Sequence, residues 1–144
     1  MLTIINKLTD QIEKIIENDP VRPNIPKHQR LGKNKDIFTL FDKNNIDAIT
    51  CVSYTNFIPI HENNLFNSFC EPNFAVFYTI WSYKKGMGKK LLFDVVSHLK
   101  LNKLHINRFI TLSPKTTIAE KFHLNNGAVI LNINDDTINF EYKL

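Results

Sequence analysis

Cysteine is scarce: Cys51 and Cys70 are the only two in 144 residues. No Cys-x-x-Cys spacing and no His pair accompanies them, so neither a disulfide framework nor a zinc-site pattern is indicated. Glycine is also sparse, at four residues, below the ordinary share of a globular chain. Long apolar runs are missing. Nothing approaches the roughly 18 residues that a bilayer-spanning helix needs, and the N-terminus lacks the charged-then-apolar layout of a secretory leader. The chain therefore reads as cytoplasmic, with no membrane partner. It has no internal repeat and no low-complexity tail.

What is present is an ordinary globular composition: 43% apolar, 22% charged and 11% aromatic, with phenylalanine the main aromatic at 11 residues. A chain of 144 residues fits one domain, 1–144, with a real core. The net charge of +4 and pI near 9.1 point to an anionic partner. So modest an excess suits a phosphate-bearing small molecule better than nucleic acid.

In chain order, Ile5, Leu8, Ile12, Ile15 and Ile16 share one face of an amphipathic helix expected within 1–19. That face either packs on the domain edge or contributes to a homodimer. Three prolines, Pro20, Pro23 and Pro26, then impose an extended connection over 20–36. Residues 37–41 and 47–54 alternate as two strands of a hairpin around Asp42-Lys-Asn-Asn45, with Ile49, Cys51 and Ser53 on one face. The Asn-rich stretch 55–72 has no regular pattern, and its length suits a segment that covers something. His61 within it reads as a solvated loop residue.

Two runs carry the chemistry. Phe74-Ala-Val-Phe-Tyr-Thr-Ile80 is an apolar strand that leads through Tyr83-Lys-Lys-Gly-Met-Gly88 into a helix with Leu91, Leu92, Val95, Val96 and Leu99 on one side. Strand, glycine turn and helix form a phosphate cradle: glycines allow backbone N–H groups close to an anion, and the helix N-terminus holds it. Lys84, Lys85, Lys89 and Lys90 surround Gly86, Met87 and Gly88. The alternative is a plain connection with solvated lysines. The second run is the strand 108–112, then Ser113-Pro114, a short helix, and Phe122-His-Leu-Asn-Asn-Gly-Ala128. It brings a hydroxyl and an imidazole to the end of the same sheet. Ser113 can instead begin a turn or cap a helix, and His123 can finish a helix against Gly127. Tyr78 and Tyr142 read as core aromatics. Residues 128–133 and 137–142 close the chain as a hairpin, giving a mixed α/β layout around one sheet.

Tyr83-Lys-Lys-Gly-Met-Gly88 resembles the coenzyme A pyrophosphate loop of the GNAT acetyltransferases, with Tyr83 in place of the usual first basic or amide residue. Phe77-Tyr-Thr-Ile80, Lys85-Gly-Met87, Thr111-Leu-Ser-Pro114 and Phe122-His-Leu-Asn-Asn-Gly-Ala128 are similar, in the same order, to the FYSI, KGL, TLSP and FHLxNGA segments of the C-terminal domain of malonyl-CoA decarboxylase. The similarity extends over about 110 residues, and the last run is its most specific part.

This resemblance implies a GNAT-like fold of mixed, mostly antiparallel sheet flanked by helices. It implies a coenzyme A thioester ligand, malonyl-CoA or acetyl-CoA, held by Tyr78, Ile80, Lys84, Lys85, Gly86, Met87, Gly88, Lys89 and Lys90, with no metal. His123 would serve as proton donor, with an imidazole near its ordinary pKa, and Ser113 as ligand of the carboxylate or of the enolate left by CO2 loss. The runner-up is an acetyl-CoA-dependent N-acetyltransferase, and the third reading is a CoA-binding protein without turnover. Three departures stand out. Lys115-Thr-Thr-Ile118 replaces the family's proline-rich continuation, few residues separate Ser113 from His123, and Cys51 occupies an acidic position.

Overall fold

Residues 35–42 and 45–55 fold back on each other across Lys43 and Asn44, and this hairpin seeds the sheet in the computed structural model, which describes residues 1–67 and 70–144. Lys43 turns the chain with φ of 58°, a left-handed conformation that a tight turn demands. The elements in order are β1 (Leu2–Ile4), α1 (Asp10–Glu17), β2 (Lys35–Asp42), β3 (Asn45–Thr55), β4 (Phe74–Ser82), α2 (Met87–Asn102), β5 (Arg108–Thr111), β6 (Ser113–Pro114), α3 (Thr117–Asn125), β7 (Val129–Ile133) and β8 (Thr137–Tyr142).

The strands run β1-β2-β3-β4-β5-β8 across one sheet. β6 lies along β8 on the β5 side, and β7 pairs with the other edge of β8. Every pairing is antiparallel except β4 with β5. The parallel pair is joined through α2, as a crossover connection requires.

Each face of the sheet buries its own apolar cluster. Leu91, Leu92, Val95, Val96 and Leu99 of α2 pack on Phe38, Val52, Phe77 and Phe140 on one side. On the other side Ile12 and Ile16 of α1 pack with Ile37, Ile49, Cys51, Leu65, Val76 and Tyr78. Tyr78 is an extra residue in β4, because Val52 pairs with Phe77 and Cys51 with Thr79. This bulge sends two successive side chains, Tyr78 and Thr79, to the α1 face and bends the strand there.

Two expectations change. The N-terminal helix covers only Asp10–Glu17, since Thr9 caps it by accepting from the Ile12 amide, while Leu2–Ile4 pairs with β2. Its apolar face is used at home, with Ile12 and Ile16 buried in the core. The connection 20–36 is not a passive tether. A short 3-10 turn at Lys27–Gln29 and a buried ionic network anchor it. Asp19 accepts at Oδ1 from the amides of Val21 and Arg22 and from Thr79 Oγ1, and at Oδ2 from Arg30 Nη1 at 2.6 Å.

The stretch 55–72 does cover the sheet, as far as it is described; residues 68 and 69 lie outside the described residues. Leu65 is fully buried, its carbonyl accepts from Ser53 Oγ, and Pro59 and Ile60 carbonyls accept from Asn139 and Thr137. Among the described residues no helix is long and apolar enough to cross a membrane.

Arg30 is fully buried and pairs with a fully buried Asp19. Removing one partner strands the other charge, so Arg30→Met should cost about 3–5 kcal/mol, read as a lower midpoint in urea unfolding. A variant within 1 kcal/mol of the parent would contradict this account.

Candidate active site at the strand fork

β4 and β5 pair from Phe74 opposite Arg108 to Phe77 opposite Thr111, and the Leu112 amide makes one more bond to the Phe77 carbonyl. There the strands part. β4 continues to Ser82 along β3, whereas Ser113 and Pro114 turn to pair with Ile138 and Thr137 of β8. The opening between them holds a cavity of about 510 Å³, lined by Phe77 to Ser82, Leu112 to Pro114, several residues of α3, Pro20, Val21 and Gly88. The lining is mostly apolar, and it includes no Asp, Glu, Lys or Arg.

Ser113 and His123 both face this cavity. His123 is 4% exposed and sits among the rings of Phe122, Phe140 and Tyr142, with centroids 5.1, 5.1 and 5.8 Å away. Burial lowers its pKa from 6.5 to about 4, because a desolvated imidazole resists charging. This corrects the expectation of an unperturbed imidazole: at neutral pH the ring is uncharged. Nδ1 lies 2.7 Å from the Tyr142 hydroxyl. Burial raises the pKa of that hydroxyl, and the nearby Asn126 side chain opposes the rise. A Tyr142 hydroxyl that donates to Nδ1 leaves the hydrogen of the neutral imidazole on Nε2.

Thr116, not Ser113, caps α3, accepting from the Ala119 amide at 3.2 Å. Ser113 Oγ instead pairs with Thr111 Oγ1 at 2.8 Å, and Thr111 Oγ1 also accepts from the Phe140 amide. His123 does help finish its helix, since its carbonyl accepts from the Ala128 amide at 3.0 Å while Gly127 turns with φ of 94°. Backbone and side chain thus serve two purposes at one residue.

At the glycine turn, Gly86 precedes α2 with φ of 82°, and among the described residues the first-turn amides of Gly88 and Lys89 have no backbone carbonyl partner. Gly88 faces the cavity, and a Cβ there would lie 3.3 Å from Phe122 Cε1. The α2 N-terminus and α3 therefore touch edge to edge. Of the lysines, Lys84 pairs with Asp42 at 3.6 Å and Lys90 with Asp94 at 2.8 Å. Lys85 and Lys89 are exposed and have no ion-pair partner among the described residues. Tyr78, Ile80 and Gly88 thus line the cavity together with Ser113 and His123, whereas Lys84, Lys85, Met87, Lys89 and Lys90 stand outside its lining.

No protein-family model matches this sequence, and no curated protein matches it. Solved structures do match. A Bacillus subtilis acetyltransferase in complex with CoA superposes with a TM-score of 0.71 at 12% identity, covering 99% of this chain and 97% of that one. Campylobacter jejuni N-acetyltransferase PseH in complex with acetyl coenzyme A gives 0.62 at 15% identity, covering 99% of both. Malonyl-CoA decarboxylase from Agrobacterium vitis gives 0.67 at 22% identity over 93% of this chain. The fold is that of the GNAT acetyltransferases. The chain spans only 39% of the length of that decarboxylase.

Within this GNAT fold, several residues in or behind the cavity wall escaped sequence reasoning. Thr111 had a visible signal, since residues i and i+2 of one strand share a face with Ser113. Tyr142 as a partner of His123, and Pro20, Val21 and Trp81 as wall residues, depend on contacts that no local pattern encodes.

The folded pKa of His123 lies below its unfolded value, so the unfolded chain binds the extra proton between about pH 6.5 and pH 4. Stability should therefore fall as pH drops through that window, by up to about 3 kcal/mol from this residue. Denaturant unfolding at pH 7, 5.5 and 4.5 checks it: His123→Gln should flatten the slope, and an unchanged slope would show that other groups produce it.

Proposed function

We propose that the chain is a coenzyme A-dependent enzyme that decarboxylates malonyl-CoA or a closely related thioester. The observation that carries the reading is the placement of Ser113 and His123 on one cavity whose wall also includes Gly88 from the glycine turn. In this reading the pyrophosphate lies on the free amides of Gly88 and Lys89, with Gly86 and Met87 shaping the turn and Lys84, Lys85, Lys89 and Lys90 supplying positive charge. The pantetheine arm and thioester follow the open edge of β4 from Tyr78 to Ile80.

The chemistry then follows from the groups present. The bond between the methylene carbon and the carboxylate breaks, CO2 leaves, and the electron pair becomes a thioester enolate. Neutral His123 donates Nε2–H to the oxygen where charge develops, as an uncharged imidazole can. Ser113, with its hydroxyl set by Thr111, supplies the second donor. The enolate carbon finally takes a proton from solvent, and the product is acetyl-CoA. A cavity wall without a cation leaves the carboxylate unpaired and poorly hydrated, which disfavours the charged ground state relative to loss of CO2.

A second reading is an acetyl-CoA-dependent N-acetyltransferase. It draws support from two acetyltransferase structures that match this chain along nearly their whole length. It lacks a base for the amine, because no carboxylate lines the cavity and His123 is a weak base at a pKa of about 4.

Mass spectrometry of malonyl-CoA incubated with the protein tests both, with acetyl-CoA and a mixed amine pool in parallel. Release of acetyl-CoA that drops at least about a hundredfold in His123→Ala, the scale of one lost oxyanion donor, is the expected outcome. An acetylated amine with intact malonyl-CoA would establish the transferase instead. CoA binding without either product would mark a binding protein.

A further inference from the structure

Past the last rung between β4 and β5, the carbonyls of Tyr78 and Leu112 face a gap where, among the described residues, no strand amide donates to them. One side chain satisfies both. Arg22 is 6% exposed, and it donates from Nε to the Tyr78 carbonyl at 3.1 Å and from Nη2 to the Leu112 carbonyl at 2.7 Å. Its Nη1 donates to Glu62 Oε1 at 3.2 Å, on the segment that covers this face of the sheet. The backbone of Arg22 is fixed as well: its amide donates to Asp19 Oδ1 and its carbonyl accepts from Arg30 Nη2. The two residues before it, Pro20 and Val21, are cavity wall.

We propose that Arg22 is the positioning residue of this site: its guanidinium spans the fork, sets the separation between β4 and the Leu112–Ser113 turn, and closes the cavity to water on the Glu62 side. The inference rests on the reading of this cavity as the active site. Only a planar guanidinium suits the task. Two donors of a rigid fork meet two carbonyls on diverging strands, whereas a lysine ammonium is a compact point charge that cannot hold both in one plane. Burial lowers the pKa of Arg22, with Glu62 and Asp19 opposing that effect, so the charge is held out of water by the arrangement it completes. Arg22 acts through Leu112 on its neighbour Ser113, and through the dryness of the cavity on His123.

The test reads His123 directly. NMR titration of its ring protons in the intact chain should give a midpoint near 4 in the parent, and a rise of about one unit or more in Arg22→Gln as water enters. Arg22→Lys should fall between. Malonyl-CoA turnover by Arg22→Gln should drop at least about tenfold while KM changes by less than about threefold, a split that lost stability alone would not produce. A folded Arg22→Gln whose His123 titrates like the parent overturns the proposal. If that variant does not fold, Glu62→Ala decides, because it removes only the outer bond from a half-exposed partner: a midpoint shifted upward supports the proposal and an unshifted one overturns it. The titration needs no substrate, so absence of turnover in the parent would sink the decarboxylase reading while leaving the positioning result to stand on its own.

Discussion

A parallel strand pair holds together only while both strands keep the same direction, and in this protein that condition ends at Phe77 and Thr111. One strand continues along β3, and the other turns to join β8. Everything that resembles a site follows from that parting. It opens a cavity inside the sheet instead of beside it, and it leaves two carbonyls without ladder partners. It also sets Ser113 at the start of the turn, where its hydroxyl meets Thr111. The bulge at Tyr78 contributes by bending β4 at the same level. The α2 crossover that parallel pairing requires brings its own N-terminus to the cavity wall through Gly88.

The α1 face of the sheet carries an unusual load of buried polarity for a chain with a phenylalanine-rich core. Asp19, Arg22 and Arg30 are all buried, and each is tied to backbone groups as well as to one another. Such a cluster is tolerable because each of these charges has a partner and the two guanidiniums also donate to the carbonyls of Arg22, Ile25, Tyr78 and Leu112. Burial raises the Cys51 thiol to about 11, so beside Arg30 it stays protonated and acts as packing. This network fixes residues 19–30 against the fork, although their three prolines read locally as a simple extended connection.

The periodic elements were legible because their signals are local. The β2–β3 hairpin, the apolar β4 strand, the amphipathic α2 and the β7–β8 hairpin all form where their local patterns place them. The first residues misled because Leu2, Ile4 and Ile5 fit a helical stripe as well as a strand, and pairing with β2 decides the matter. At the site, the residue types and their order in the chain were readable. Their electrostatics were not. His123 looks like a group poised near neutrality until Phe122, Phe140 and Tyr142 are packed around it. Arg22 carried no local signal, since its two carbonyl partners lie 56 and 90 residues away.

The contact between Gly88 and Phe122 joins two places that seem independent in the chain. Phe122 is the residue next to His123, and a Cβ at position 88 would lie 3.3 Å from its ring edge, so a larger residue there needs the ring to give way slightly. The first turn of α2 and the imidazole therefore share a single strut. A small rotation of that turn pushes against this ring, and the ring is bonded through the backbone to the histidine. The small residue at 88 is thus a bearing surface between two helices, set one residue along the backbone from the imidazole.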